Sequence, residues 1–445
     1  MPHTSKSGPR MVTNMPTIRA KLIASPREAH ELSGSPDLLI TLYMILLYSI
    51  CDLLSNNLEP AVFFYLAVGC SKYHMSTKTL CYIPYRQAFN TATGGYRPCC
   101  QTLPATNEYH HYTTFADWWK GPEMEELRNN LSGDTLPPSC MPCKTNELQG
   151  GQSFRQSVTP GDKSTTFYKN NLPDRYQVNF SSLCNLSCWT CTPRRSSMIE
   201  KDYRTINILP ASFKQDTFVH SWPSLREAIL ESYKHHDHVL LSLLGGEPTI
   251  NNLLIEFMQM LVDLGYSERT TFELTTNCHT LRDDFKKLLT ENKWGYLTVF
   301  ASVDLVDEKI SWTRYGSKWS NVEKNLNFYK SIANYFEVHS TVSVFNAMYV
   351  PDIYDYFKNS NTKVSFYTVH EPVIMSPIHW SGSSNIFGDR NEFARRGLEK
   401  IYDTFGSDVH ANTKQQLIDH IVPLQEIRSV KLKDIDPVLY KLIFD

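Results

Sequence analysis

Tyr176-Gln-Val-Asn-Phe180-Ser-Ser-Leu-Cys184-Asn-Leu-Ser-Cys188-Trp-Thr-Cys191 joins an alternating apolar segment to a loop with three cysteines at C-x3-C-x2-C spacing. The first five residues read as a strand and the loop follows it directly. Iron–sulfur clusters are held by cysteine thiolates, usually four of them. Three thiolates hold three irons of a cubane cluster and leave the fourth open to bind a substrate or cofactor. The competing reading is structural zinc, which normally takes four ligands. No His or Cys lies close after Cys191, and the nearest cysteine beyond it is Cys278. Zinc therefore needs a distant ligand, whereas a cluster with an open iron needs none.

Outward from this loop the sequence alternates strands and helices. Apolar, β-branched runs recur at Tyr176–Phe180, Val239–Leu244, Thr271–Thr275, Leu297–Val303, Val338–Val344 and Val364–Val369. Between most of them, Asn252–Leu264, Leu281–Leu289 and Asn321–Tyr335 repeat apolar residues at three- and four-residue spacing. Six such units predict parallel βα repeats with right-handed crossovers. They are too few for a closed eight-stranded barrel, so the expected fold is α/β, a partial (β/α)6 TIM-like barrel over residues 174–372. Sites in such folds gather at the carboxyl ends of the strands.

The chemically suggestive residues fall at those ends. After the second strand comes Gly245-Gly246-Glu247-Pro248, whose glycines allow close backbone approach to a ligand and whose carboxylate can accept from an amine. The third strand ends in Thr275-Thr276-Asn277-Cys278 and the fourth in Ala301-Ser302-Val303-Asp304. Such polar groups suit a ribose or carboxylate, or simply cap the next helix. Arg314 is a candidate carboxylate clamp or a solvated loop residue.

The 445 residues carry a formal net charge of −2 with 41% hydrophobic and 20% charged residues, enough for two or three domains and a sizeable core. That balance gives no support for a broad nucleic-acid footprint. Eleven cysteines, an odd number at short spacings, point to metal ligation in a reducing, cytoplasmic setting rather than to a disulfide framework. Residues 1–76 read as a poorly ordered and apolar extension. Its run Leu38–Cys51 holds 14 residues without a formal charge, short of the roughly 18–20 needed to span a bilayer. That run and Ala61–Cys70 read as buried or surface-docked helices, with a membrane anchor as the alternative. A functional start at Met75 is a further possibility. Residues 77–155 form a cysteine-bearing module with one expected helix, Pro122–Leu131, followed by a linker through 156–173. Residues 373–445 read as a helical extension, with helices at Glu392–Phe405 and at Lys414–Val422, the second ending at Pro423.

Cys184/Cys188/Cys191, Gly245-Gly246-Glu247-Pro248, Thr276-Asn277 and Ser302-x-Asp304 together resemble the radical S-adenosylmethionine (SAM) enzymes, in that family's motif order. The resemblance implies a [4Fe–4S] cluster on the three cysteines, with SAM chelating the open iron. Gly245–Glu247 would hold the methionine amine, and Ser302, Asp304, Ser343 and Asn346 the ribose and carboxylate. The family usually has a large residue covering adenine just before the third cysteine; here that position is Thr190, and Trp189 lies one earlier. Upstream, Cys81, one of Cys99/Cys100, Cys140 and Cys143 resemble the twitch module, the shorter relative of SPASM, and imply a second, auxiliary [4Fe–4S] cluster, with zinc as its alternative. The resemblance further implies a small flavodoxin- or ferredoxin-like electron donor and a peptide or protein substrate. Its rivals are a non-catalytic metal-binding scaffold and a nucleotide- or RNA-modifying relative.

Overall fold

Val239-Leu-Leu-Ser-Leu-Leu244 alternates buried and half-buried side chains along its whole length. Strands covered on both faces read as near-continuous apolar runs, whereas alternation marks a sheet packed on one face only. Among its described residues the computed structural model has ten strands in chain order: β1 Gln87–Asn90, β2 Tyr96–Arg97, β3 Arg175–Asn179, β4 Ser187–Cys188, β5 Val239–Leu244, β6 Thr270–Thr276, β7 Tyr296–Ser302, β8 Arg314–Tyr315, β9 Tyr335–Val342 and β10 Lys363–Thr368. It describes residues 81–444, apart from 92–93, 103–111, 113, 133–135, 149–152, 159–171, 212, 214–217, 370–374 and 376–412. The apolar runs Leu38–Cys51 and Ala61–Cys70, Met75, most of the linker and the expected helix Glu392–Phe405 lie outside the described residues.

Eight strands form one sheet in the order β10-β9-β7-β6-β5-β3-β1-β2. Neighbours are parallel throughout except β1 and β2. The six expected strands are all present, and from β3 to β10 they follow one another in sequence order. Each crossover therefore steps the same way, and crossovers of one hand leave the crossover helices on one face. The core confirms it. Tyr176, Leu241, Phe272, Val299 and Val338 from alternate strand positions pack with Leu225, Phe257, Phe285, Leu326 and Phe357 from the helices. Those helices are Phe218–Ser232, Asn252–Asp263, Asp283–Glu291, Trp319–Ile332 and Val350–Asn359.

Two expectations need correction. The sequence of the cysteine-bearing region predicts one helix and no strand, but Gln87–Asn90 pairs parallel with β3 and so extends the sheet by a seventh parallel strand. Its four residues are too short for a periodicity signal, and Asn90 holds the register by bonding the backbone of Asn179. The expected stop at Pro423 does not occur either, since the helix runs Thr413–Arg428 with Pro423 inside it. Burial of Leu417, Ile421 and Leu424 in a second core, against Trp189, Trp312 and Phe345, offsets the lost backbone bond. Among the described residues no helix is long and apolar enough to cross a membrane.

Pro423 is half-buried and lacks the N–H that would bond the carbonyl one turn earlier. Pro423→Ala restores that donor and is expected to stabilise the protein by about 1–3 kcal/mol, read as a rise in the midpoint of thermal unfolding.

Candidate functional site

The cysteine loop leaves β3 at the carboxyl edge of the sheet and is held from three sides. On one side Gly246 and Glu247 donate their N–H groups to the carbonyls of Ser181 and Leu183, each at 2.8 Å. A Cβ at position 246 would lie 2.2 Å from the Leu183 oxygen, and one at Gly245, where φ is +132°, would lie 2.6 Å from the Ser181 oxygen. The close approach these glycines allow is therefore to the cysteine loop itself. On the second side β4 pairs antiparallel with β8, setting Cys188 opposite Arg314. On the third, Ser197 Oγ accepts the Cys184 N–H at 3.1 Å, and Ser196 caps the helix Ser197–Thr205 while donating to the Leu186 carbonyl.

Of the three thiols in the loop, Cys188 is buried and Cys184 and Cys191 are half-buried. Burial pushes Cys184 up to about 12 despite an N–H bond from Leu186, and it raises Cys188 and Cys191 as well. Each thiol lies within electrostatic reach of another in the triplet. Opposing cations are close: Arg314 Nη1 lies 4.0 Å from Cys188 Sγ, and both Arg195 and Arg314 favour the Cys191 thiolate. Buried thiols of this kind ionise when an electrophile takes their charge, which is how metal binding releases protons. Among the described residues no three His, Cys, Asp or Glu side chains converge on one ion.

The expected SAM-binding residues fall into two groups. Gly245, Gly246 and Ser302 are half-buried at the rim. Glu247 is 1% exposed and spent internally. Its Oε1 accepts from the hydroxyls of Thr249 and Thr276 and its Oε2 from the Asn277 N–H. Burial still raises its pKa, with these bonds opposing. Asp304 is equally sealed: Oδ2 lies 2.9 Å from Arg314 Nε, and Oδ1 accepts the Thr341 N–H. Arg314 is thereby held against Asp304 and Cys188 rather than presented as a clamp. Asn346 bonds the Asp304 and Thr341 carbonyls and the Ser343 N–H, and both Ser343 and Asn346 are buried. Pro248 is buried and opens a short 3-10 turn. These side chains brace the loops that follow β5, β6, β7 and β9.

Trp189 is part of the second core. It is 2% exposed, with its ring 4.9 Å from Trp312 and 5.6 Å from Phe345, and the Arg428 guanidinium stands 4.3 Å over it. Arg428 also bonds Asp202 and Ser187, and its carbonyl accepts from Tyr315. Sequence reasoning missed this residue, which lies 241 positions from Ser187 with no local signal. It missed Asn185 too. That side chain accepts from Asn277 at 2.9 Å and donates to Thr280 at 2.8 Å, tying the cysteine loop to the end of β6. Cys278 is fully buried with φ +57° and its thiol faces the Thr276 carbonyl, in keeping with a core thiol.

The upstream cysteines meet at a separate small cavity lined by Cys81, Cys99, Cys140 and Cys143 together with Ile83, Leu131 and Arg155. Cys100 is not among the lining residues. The Gln101 N–H points at Cys99 Sγ at 3.3 Å, and the Ile83 N–H favours the Cys81 thiolate, which burial pushes up to about 12. Arg155, paired with Glu147 at 2.6 Å, places positive charge beside Cys81 and Cys140.

No family model and no curated protein match this chain. Solved structures with partial likeness include native anSMEcpe with bound AdoMet, at 24% identity and TM-score 0.34 over 44% of this chain and 52% of that one. Another is Streptococcus suis SuiB bound to precursor peptide SuiA, at 15% identity and TM-score 0.30 over 71% of this chain and 60% of that one. A third is TYW1 with a lysine-pyruvate adduct bound, at 16% identity and TM-score 0.26 over 43% of this chain and 64% of that one. The chain spans about half the length of anSMEcpe.

The Gly246 contact is directly testable. Gly246→Ala forces the two loops apart and is expected to cost about 2–3 kcal/mol. Gly265→Ala, where φ is +72° and nothing lies within 4 Å, carries only the backbone strain of about 1 kcal/mol. Thermal unfolding of both variants against the parent separates steric exclusion from strain.

Proposed function

We propose that the chain is a radical SAM enzyme whose [4Fe–4S] cluster sits on Cys184, Cys188 and Cys191. The observation that carries this reading is the loop itself. Three thiols, one buried and two half-buried, share a single braced loop at the carboxyl edge of a one-sided βα sheet, with the Arg314 charge beside Cys188 and Cys278 turned into the core. When bound, such a cluster with SAM on its open iron supplies reductive cleavage to methionine and a 5′-deoxyadenosyl radical, which takes hydrogen from a substrate.

The residues of the chain bind, orient and exclude water. With the Gly246 and Glu247 N–H groups committed to the cysteine loop and the Glu247 carbonyl accepting from Ile250, the carbonyls of Gly245 and Gly246 are the acceptors offered to the methionine amine. Ser302, half-buried at the end of β7, is the rim hydroxyl available to the ribose. Glu247, Asp304, Ser343 and Asn346 act as struts that hold these groups in place. Arg314 offsets negative charge gathered at the thiolates, which in a low-dielectric site stabilises it far more than in water. The substrate, which we take to be a peptide or protein segment, lies against the uncovered polar face of the sheet. A small electron-transfer protein supplies the electron.

In the upstream cavity Cys81, Cys99, Cys140 and Cys143 form a four-thiolate set fit for an auxiliary cluster, with Cys99 rather than Cys100 as the ligand. Full ligation leaves no open iron and favours electron transfer.

Anaerobic reconstitution with iron counting and an assay for 5′-deoxyadenosine tests both sites. The parent is expected to bind about eight irons per chain and the Cys184/Cys188/Cys191→Ala triple variant about four, the latter without SAM cleavage. Iron binding in the parent without any 5′-deoxyadenosine under strong reductant overturns the reading. Cys99→Ala is expected to lose auxiliary iron and Cys100→Ala to keep it. Zinc in place of iron there overturns the auxiliary cluster alone.

A further inference from the structure

The sheet face turned away from the helices is mostly half-buried, and one row across its middle holds a carboxylate with no cation in the row. Strand register aligns Gln177 on β3, Ser242 on β5, Glu273 on β6, Thr298 on β7 and Tyr335 on β9. Glu273 is half-buried, and neighbours Phe272 and Leu274 point into the helix-side core, so its carboxylate lies on the open face. It makes no hydrogen bond or ion pair among the described residues. Gln177 Oε1, in the same row, is buried and likewise has no partner among them.

The surroundings do not explain an acidic group at this position. Glu273's row neighbours Ser242 and Thr298 are uncharged, and the diagonal positions are Leu240, Leu244, Tyr296 and Phe300. The one other carboxylate beside this region, Glu337, is already satisfied by Lys363, Tyr335 and Ser365. By register, Arg175 lies two strands away and one row nearer the amino ends. A partly buried carboxylate without a cation is costly. An orphaned oxygen in the same row compounds the deficit, and both call for a ligand rich in N–H donors. One row nearer the carboxyl ends, Phe300 stacks on His339 at 4.4 Å, giving an aromatic surface suited to the flank of a cation.

We propose that this row binds a cationic group of the substrate, an alkylammonium or guanidinium, with Glu273 as its counter-ion and Gln177 Oε1 as a second acceptor. The proposal rests on the reading of this face as the substrate surface and sharpens it: the substrate presents a lysine- or arginine-type side chain. The group binds below the rim where the cysteine loop sits, so Glu273 acts in recognition and not on the reacting atoms.

Binding is measured on the full, iron-reconstituted chain without SAM, by saturation-transfer NMR. The probes are the Nα-acetyl methylamides of lysine, arginine, norleucine and glutamine. The lysine or the arginine probe is expected to bind at least about tenfold more tightly than norleucine and glutamine, the order of one charge-assisted contact. Glu273→Gln should abolish that preference while the unfolding midpoint and iron content hold. Equal binding of cationic and neutral probes, no binding of any probe, or a preference that survives Glu273→Gln overturns the proposal. The 5′-deoxyadenosine assay is scored separately. SAM cleavage without charge preference sinks this inference alone, whereas charge preference without SAM cleavage sinks the enzyme reading alone.

Discussion

The contact between Gly246 and Leu183 is the constraint on which the site depends. With hydrogen in place of a side chain, the turn after β5 lies directly on the cysteine loop and shares two backbone hydrogen bonds with it. Glu247 follows immediately, and its carboxylate reaches across to Thr276 and Asn277 at the end of β6. Asn277 in turn bonds Asn185, the residue after Cys184. The three loops thus close a ring of hydrogen bonds around the first cysteine. Each link depends on the turn being in contact with the loop, so the smallest residue in the sequence sets the position of the heaviest chemistry.

Electrostatics follow from the same geometry. Asp304 and Arg314 are almost wholly buried, a pairing that contributes little to stability once desolvation is counted. Its value lies in placement. Asp304 fixes the guanidinium from one side, and the β4–β8 pairing brings Cys188 to the other. A cation held in this way favours thiolate over thiol without being free to wander to solvent, and it does so where burial otherwise opposes ionisation.

Much of the fold was legible because it follows from periodicity. Strand β5 and the helix Asn252–Asp263 stand almost where alternation and three-to-four spacing put them. The parallel order followed from their sequence. Strand β1 was invisible because four residues carry no period, and Pro423 misled because tertiary burial outweighed a local rule. At the site, residue type and loop position identified the thiols, the Gly-Gly turn and the rim, but not which way side chains turn. Glu247, Asp304 and Asn346 look like ligand-binding groups in sequence and are engaged with the protein's own backbone and hydroxyls. Sequence spacing could not separate Cys99 from Cys100, and of the two it is Cys99 that lines the cavity. Partners such as Arg428 are set by a contact across most of the chain.

Arg428 also bears on the order in which the protein is made. The cysteine loop is packed beneath Trp189, and Trp189 is roofed by a guanidinium from the end of the helix Thr413–Arg428. On the ribosome the thiols emerge long before that roof exists. Until residues beyond 413 are synthesised, the core around Trp189, Trp312 and Phe345 lacks Leu417, Ile421, Leu424, Leu432, Leu439 and Ile443. The packing around the cysteine loop is therefore completed only when the last helices dock, 241 positions after Ser187 in the case of Arg428.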